Sequence, residues 1–231
     1  MLKAASYQDL VASRIACRAC SSLKNPSEVD DGRFDSHEIG GWTIWQGNLN
    51  ARLMVVGQDW GDVKYLTKNG GRDRPGNPTN KALCTLLSSI GIHIPLPEHS
   101  RGRGELYFTN AILCLKTVGG LQGDVEDSWF SNCGQKFLRP QIELLGPKVV
   151  VCLGKRAYEA VLASFGLPCR SRTLREAVES PHLERSSGGA VIIPVYHCGA
   201  RVQNAPPPRG RSLEQQRNDW VRVRRALERV S

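Results

Sequence analysis

Polar side chains that can do chemistry follow the apolar segments of this sequence. A carboxylate, Asp59, follows the first segment, an amide, Asn110, lies in the second, and an imidazole, His197, ends the fourth. The third runs into the basic turn Gly154-Lys155-Arg156. A carboxylate can orient a water molecule or stabilise a cation, and an imidazole can donate a hydrogen bond or a proton. If the segments are parallel strands, these groups converge at one edge of the sheet.

The cysteines form a second candidate site. Eight are present; Cys17 and Cys20 have the spacing of a chelating pair, and Cys114 lies just past a predicted strand with Cys133 inside the next predicted helix. Two pairs far apart in sequence suit a site with four thiolate ligands. Spacing alone does not separate zinc from an iron–sulfur cluster. The alternative, that Cys114 and Cys133 are ordinary buried thiols as we expect for Cys84 and Cys152, stays open at this point.

The elements that must position these groups follow from hydrophobic patterning. The apolar segments lack the alternation of half-exposed strands, so they are predicted to be buried parallel strands: Leu53–Val56, Leu106–Leu113, Val149–Leu153 and Val191–Tyr196. Helical patterns lie between them at about Thr79–Ile90, Asp127–Leu145 and Arg156–Phe165. This order predicts an α/β fold, a three-layer sandwich whose central, mainly parallel four-stranded sheet is flanked by helices, as a single domain over residues 1–231.

Both ends of the chain are also predicted to be helical. Ser6 and Asp9 resemble a capping box for a helix that delivers Cys17 and Cys20 at its end. A last helix is expected after Ser212, where Gln215 completes another capping box. The segments rich in glycine, proline and arginine are expected to be surface loops: Thr67–Asn80 and Arg201–Arg211.

The composition favours a polyanionic partner. The sequence has 31 Lys and Arg against 22 Asp and Glu, a formal net charge of +9, which suits nucleic acid or an anionic membrane surface. No apolar run is long enough to span a bilayer, and no signal peptide is recognisable at the start. We therefore expect a soluble intracellular protein whose cysteines are reduced.

Taken in order, these pieces resemble the uracil-DNA glycosylase superfamily, particularly its iron–sulfur members, often grouped as family 4. The resemblance rests on Cys17-Arg18-Ala19-Cys20, Gly57-Gln58-Asp59-Trp60-Gly61, Thr109-Asn110-Ala111-Ile112-Leu113-Cys114, Cys133, the strand Pro147–Gly154 and Pro194-Val195-Tyr196-His197. Each motif is weak alone, whereas their number and order are specific.

Two motifs depart from the family pattern. The family usually continues its histidine with Pro-Ser, whereas this chain continues with Cys198-Gly199-Ala200-Arg201, so the DNA-penetrating loop must differ. The first motif reads Gly-Gln-Asp, where family 4 typically has Gly-Glu-Ala. Gly61 stands where strict enzymes carry an aromatic residue that excludes thymine, which makes tolerance of bulkier bases a hypothesis. The aromatic that stacks on the flipped base is not identified by sequence, although Tyr65 is a candidate.

The resemblance implies a monofunctional glycosylase that removes uracil, or a related deaminated base, from DNA and so initiates base excision repair. It implies Asp59 and His197 as catalytic groups, and base binding by Gly57, Gln58 and Asn110. DNA contacts are implied at three arginines around the expected insertion loop: Arg201, Arg209 and Arg211. It also implies a 4Fe-4S cluster on Cys17, Cys20, Cys114 and Cys133, with zinc as the less favoured occupant.

Two other functions remain open from sequence. One is a catalytically weak member of the superfamily that binds damaged DNA, and the other is a zinc-stabilised nucleic-acid-binding domain without catalysis. We expect DNA as the partner, no membrane association, a monomer, and a cytoplasmic protein that is associated with the nucleoid when bound to DNA.

Overall fold

A mostly parallel sheet forms the centre of the fold in a computed structural model that describes residues 2–100, 104–118, 120, 124–206 and 209–229. The strands in this part of the chain are β1 (Leu23–Lys24), β2 (Leu53–Gly57), β3 (Tyr107–Asn110), β4 (Leu115–Lys116), β5 (Val149–Leu153), β6 (Glu184–Arg185) and β7 (Val191–Val195). The main sheet has the order β3-β2-β5-β7-β6. Its first four strands are parallel, and β6 pairs antiparallel with β7.

The α/β class and the central, mainly parallel sheet are confirmed, but the predicted number of four strands is wrong. The four apolar runs all contribute strands, and β6 adds a fifth at the edge. β6 is only two residues long and consists of Glu184 and Arg185, so it has no apolar pattern. Charged residues and short length are typical of edge strands, which must avoid pairing with other chains.

Helices cover both faces of this sheet. They are α1 (Leu2–Ala16), α2 (Val63–Lys68), α3 (Pro78–Ser88), α4 (Asp127–Cys133), α5 (Arg139–Leu145), α6 (Lys155–Ser164), α7 (Leu174–Glu179), α8 (Ala200–Asn204) and α9 (Leu213–Arg229) within the described residues. Successive residues of β5 point to opposite faces, as strand geometry requires. Val150 packs in the core that contains α1, α5 and α6, whereas Val151 packs in the core that contains α3 and α9.

Several helix boundaries differ from the sequence prediction. α1 begins at Leu2, so Ser6 and Asp9 lie inside it and the predicted cap is wrong. The capping box of α9 is confirmed, because Ser212 Oγ accepts from Gln215 N and Gln215 Oε1 accepts from Ser212 N. The predicted helix 127–145 contains a π-helical turn over 134–138. The turn directly precedes α5, where Pro140 has no N–H to continue the α-helical ladder.

The two segments predicted as surface loops are partly helical. The first contains the end of α2 and the start of α3, which Asn77 caps by accepting from Thr79 N. The second contains α8, where Gln203 Nε2 donates to Cys198 O and closes the turn. α2 and α8 have six and five residues, which is too short for a periodic apolar pattern to reveal them, whereas α3 begins one residue before its predicted start at Thr79. Pro207 and Pro208 of the second segment lie outside the described residues.

A second, two-stranded sheet joins distant parts of the chain. β1 pairs antiparallel with β4, with Leu23 opposite Lys116. Lys116 of β4 also donates its backbone N–H to Gly61 O, in the loop that follows β2. The small sheet therefore connects the segment after Cys20, the segment after Cys114 and the loop after β2.

Candidate active site and cysteine cavity

A cavity of about 530 Å³ lies beyond the carboxyl ends of β2, β3, β5 and β7. All five predicted catalytic and base-binding residues line it, together with one of the three predicted arginines: Gly57, Gln58, Asp59, Asn110, His197 and Arg201. The convergence follows from the topology, because parallel strands deliver the residues after their carboxyl ends to one edge. The basic turn Gly154-Lys155-Arg156 also borders this cavity.

The Asp59 carboxylate is held by two donors. Gln58 Nε2 donates to Asp59 Oδ2 at 2.8 Å. Lys116 Nζ lies 3.3 Å from Oδ1 and 3.5 Å from Oδ2. Gln58 O also accepts from Ile112 N at 2.9 Å, so both the side chain and the carbonyl of Gln58 are held at this edge of the cavity. Sequence reasoning missed Lys116, since nothing in a Leu-Lys pair indicates that the lysine is buried.

The His197 ring has a defined tautomer. Gly199 N–H donates to His197 Nδ1 at 3.0 Å, so in the neutral ring the proton resides on Nε2. His197 is reached by solvent through the open mouth of the cavity. Even so, surrounding protein lowers the pKa of His197 below its ordinary value of 6.5, against the opposing influence of the nearby Asp59 charge. The arrangement favours a neutral imidazole that can donate a hydrogen bond from Nε2.

Asn110 is buried at the end of β3 and fixed by the backbone around it. Its amide is satisfied when the nitrogen donates to Thr109 O and the oxygen accepts from Trp60 N, both at 3.3 Å. A Cβ at position 57 would overlap the Asn110 amide, so Gly57 provides the space for this approach. An amide held this way can present its second N–H to a ligand.

Aromatic side chains form the apolar wall of the cavity. Trp42 stacks on Phe108 with 5.0 Å between ring centroids, and Trp60 meets Trp42 edge-on at 4.7 Å. Phe108 shares a strand face with Asn110, two residues away, which was a signal available in the sequence. Tyr65 also lines the cavity, and its hydroxyl donates to Asp73. Burial and Asp73 raise the pKa of Tyr65 to about 12.

The loop glycine at position 61 has a conformation that suits glycine. Gly61 lines the cavity with φ of 135°, a region that side chains rarely adopt. An aromatic residue could therefore not be accommodated here without rearrangement of the loop.

The three predicted DNA-contacting arginines lie in different environments. Arg201 is exposed at the start of α8 beside the cavity, and Arg209 is exposed further along the chain. Arg211 is instead paired with Asp219 at 2.6 Å and 3.0 Å and lies 5.5 Å from the centre of the Tyr196 ring. Arg211 thus anchors the segment after α8 to α9, and any contact with DNA would compete with this ion pair.

The four predicted metal-binding cysteines line a separate cavity of about 210 Å³: Cys17, Cys20, Cys114 and Cys133. Neither Cys84 nor Cys152 lines it. Burial and, next, the other three thiols raise the pKa of Cys114 to about 12. Burial raises the pKa of Cys133 to about 11. A buried thiol is ionised readily only when a metal compensates the thiolate charge.

Hydrogen bonding around these thiols is also suited to a bound group. Asn132 Nδ2 lies 3.4 Å from Cys20 Sγ as a donor, and a backbone hydrogen bond at Leu113 favours the ionised form of Cys133. Across the part of the chain that the structure describes, no group of three or more His, Cys, Asp or Glu side chains is arranged to hold a metal ion. The case that these residues fit a metal cluster rests on the four thiols lining one cavity.

Comparison with known proteins defines the class. A sequence model of the uracil DNA glycosylase superfamily matches residues 44–222. The chain belongs to the uracil DNA glycosylase superfamily and is an enzyme of the DNA glycosylase type. The match covers β2 to β7 and all five predicted catalytic and base-binding residues, whereas Trp42 of the cavity wall precedes it.

Individual relatives refine the comparison. A type-4 uracil-DNA glycosylase of Archaeoglobus fulgidus is 26% identical over 201 residues, covering 84% of this chain and 82% of its own length. A type-4 uracil-DNA glycosylase of Thermotoga maritima is 24% identical over 197 residues, covering 85% and 83%. A type-5 uracil-DNA glycosylase of Pyrobaculum aerophilum is 28% identical over 172 residues, covering 69% and 71%.

Within the described residues, no helix is both long and apolar enough to cross a membrane.

Proposed function

We propose that this protein is a monofunctional uracil-DNA glycosylase that hydrolyses the N-glycosidic bond of uracil, or of a related deaminated base, in DNA. The observation that carries the proposal is that the Asp59 carboxylate and a neutral His197 imidazole line the same cavity. The names of the type-4 and type-5 relatives support uracil as the base. Release of the base would initiate base excision repair.

The proposed chemistry assigns opposite charges to two sides of the bond. As the bond between C1′ and N1 breaks, the sugar gains positive charge and the uracil ring gains negative charge. Asp59 stabilises the sugar cation, orients the attacking water and accepts its proton as the C1′–O bond forms. His197 donates from Nε2 to uracil O2, where negative charge develops, and needs no prior protonation to do so.

Base recognition follows from the groups opposite His197. Asn110 pairs with uracil O4 and N3–H, the edge on which cytosine presents the opposite donor and acceptor pattern. The backbone of Gly57 and Gln58 lines the same pocket. The base must leave the duplex to reach it, at a cost of a few kcal/mol.

Phosphate contacts offset part of that cost. Arg201 and Arg209 are proposed to bind phosphates on either side of the flipped nucleotide, which their exposure supports. Arg211 is proposed to contact DNA beside them. Its ion pair with Asp219 also supports a structural role, in which it holds the segment after α8 against α9.

We also propose that Cys17, Cys20, Cys114 and Cys133 bind a 4Fe-4S cluster, because they line one cavity and the relatives include type-4 enzymes. When bound, the cluster would supply structural cross-linking between the N-terminal segment and the segment after β3. The two cavities have no lining residue in common, which supports a structural role.

The single domain over residues 1–231 is also retained as a proposal. It is supported by α1, which lies outside the matched family region but packs through Tyr7 and Val11 in the same core as Met54 of β2.

Single-turnover cleavage of uracil-containing DNA tests the catalytic proposal. Asp59→Asn and His197→Ala should each lower the rate by at least about 100-fold. The matched controls Asp9→Asn and His182→Ala remove the same groups from exposed positions and should leave the rate unchanged. No abasic product from the wild-type protein on single- or double-stranded substrate would refute the proposal and favour a damage-binding role.

Metal content tests the cysteine proposal. The purified protein should be brown, absorb near about 400 nm and contain about four iron atoms per chain. Cys114→Ser should lose the colour, whereas Cys84→Ser should keep it. A colourless protein that contains one zinc per chain would contradict the cluster proposal and show that zinc occupies the site.

A further inference from the structure

The lysine beside Asp59 is buried, which is unusual for an ammonium group. The Lys116 side chain is 4% exposed and that of Asp59 is 9% exposed. Lysine is almost never fully buried unless it is paired, because removing its charge from water is strongly unfavourable. Both Asp59 oxygens lie within reach of the ammonium, at 3.3 Å and 3.5 Å. Replacing Lys116 by a neutral residue would leave the carboxylate with Gln58 as its side-chain donor.

The backbone of Lys116 is held as firmly as its side chain. Its N–H donates to Gly61 O at 3.1 Å, and the residue pairs with Leu23 across the small sheet. Lys116 therefore contacts the loop after β2 at two points, the Asp59 carboxylate and the Gly61 carbonyl. A side chain with so little freedom can fix the position of its partner.

Lys116 does not line the cavity in which the base would bind, whereas Asp59 does. Because Lys116 contributes nothing to the cavity wall, it would act on a substrate bound there through Asp59 and not by direct contact.

We propose that Lys116 is a positioning residue for the glycosylase reaction, which holds the Asp59 carboxylate in place against C1′ of the target nucleotide. This inference rests on the proposed function of the site. Gln58 orients the same carboxylate from the second side. The ion pair fixes the carboxylate before DNA binds, so little reorganisation remains when the sugar cation forms.

A double-mutant cycle separates positioning from general stability. Single-turnover rates at saturating protein, and half-saturating protein concentrations, are measured for Lys116→Met and Lys116→Arg. Lys116→Met should lower the saturating rate by about 10- to 100-fold while changing half-saturation by less than about twofold. Lys116→Arg should recover most of the loss, because it restores the cation. In the Asp59→Asn background, Lys116→Met should have no further effect.

Lys64→Met is the matched control. It removes the same charge from an exposed position on α2, next to the same loop, and should leave the rate unchanged. Thermal unfolding of every variant identifies loss of folded protein. If Lys116→Met is unfolded, two other comparisons take its place. The rate of Lys116→Arg is compared with that of Lys116→Gln, and the rate of Asp59→Asn with that of the Asp59→Asn, Lys116→Met double variant.

A binding measurement keeps the inference separable from the proposed function. DNA that carries a cationic pyrrolidine in place of the target deoxyribose mimics the sugar cation without needing bond cleavage. Its affinity should fall by about 10-fold or more in Lys116→Met, whereas affinity for undamaged DNA should not change. If the wild-type protein released no uracil, the proposed function would fail, yet this measurement would still decide the role of Lys116.

Three outcomes would overturn the inference. The first is an unchanged rate and unchanged analogue affinity in a folded Lys116→Met protein. The second is that Lys116→Met lowers the rate by the same factor in the wild-type and in the Asp59→Asn protein, which would indicate a role independent of the carboxylate. The third is borohydride trapping of the protein on abasic DNA through Lys116, since an attacking lysine would be a catalytic nucleophile.

Discussion

The substitution Gly199→Ala is a sharp test of how His197 works. A Cβ at position 199 would lie 2.9 Å from His197 Nδ1 and 3.1 Å from Cε1, whereas ordinary contacts begin at 3.4 Å. The ring must therefore move by about half an ångström. The backbone itself is not strained, because Gly199 has φ of −71° and ψ of 151°, which alanine adopts freely.

The size of the effect follows from this displacement. If a misplacement of 1 Å costs about 100-fold in rate, half of that distance costs about 10-fold, and loss of the Gly199 N–H contact to Nδ1 adds to it. We expect the single-turnover rate of uracil release to fall by about 10- to 100-fold. The free energy of unfolding should change by less than about 1 kcal/mol.

The assay uses excess protein over uracil-containing duplex, with abasic product revealed by alkaline cleavage. Gly188→Ala serves as the control, because a Cβ there meets nothing closer than Ser186 Oγ at 3.9 Å. A Gly199→Ala protein that is folded and releases uracil at the wild-type rate would refute the claim that His197 acts from the observed ring position.

Three further predictions concern pH, specificity and DNA contacts. Activity should fall on the acid side as His197 protonates at a pKa below 6.5, because the added proton occupies Nδ1 and ends the Gly199 contact; a pH profile without an acid limb would contradict this. Thymine should be released from a T·G mismatch, since Gly61 places no side chain in the cavity, and failure to detect thymine would exclude this tolerance. Arg209→Ala should weaken DNA binding for all sequences and reduce the slope of log Kd against log salt by about one. The same salt titration of the exposed Lys64→Met variant is the control.

Much of the fold could be predicted because buried parallel strands have a strong signature. Leu53–Gly57 and Val149–Leu153 are continuous apolar runs, and both are fully buried. The edge strand of Glu184 and Arg185 could not be predicted, since it exists through pairing with β7 and has no pattern of its own. The start of α1 was misplaced because Ser6 has the residue type of a cap, whereas the helix begins four residues earlier, where Lys3 Nζ donates to Leu145 O.

The site was predictable where topology alone determines it. Asp59, Asn110 and His197 each follow or end a strand of one parallel sheet, so their convergence needs only the strand order. Lys116 and Trp42 were not predictable, because their positions depend on contacts between segments far apart in the chain. The tautomer of His197 likewise depends on one backbone N–H, which no residue type reveals.

The small sheet formed by β1 and β4 also has a consequence for the order of folding. Pairing Leu23 with Lys116 closes a loop that contains β2 and β3, and the entropy cost of that closure is recovered only after the parallel sheet has drawn the two segments together. We therefore expect this pairing late in folding. The same pairing brings Cys17 and Cys20 beside Cys114 and holds Lys116 next to Asp59, so a chain arrested shortly before completion would lack both the cysteine cavity and the Lys116–Asp59 contact.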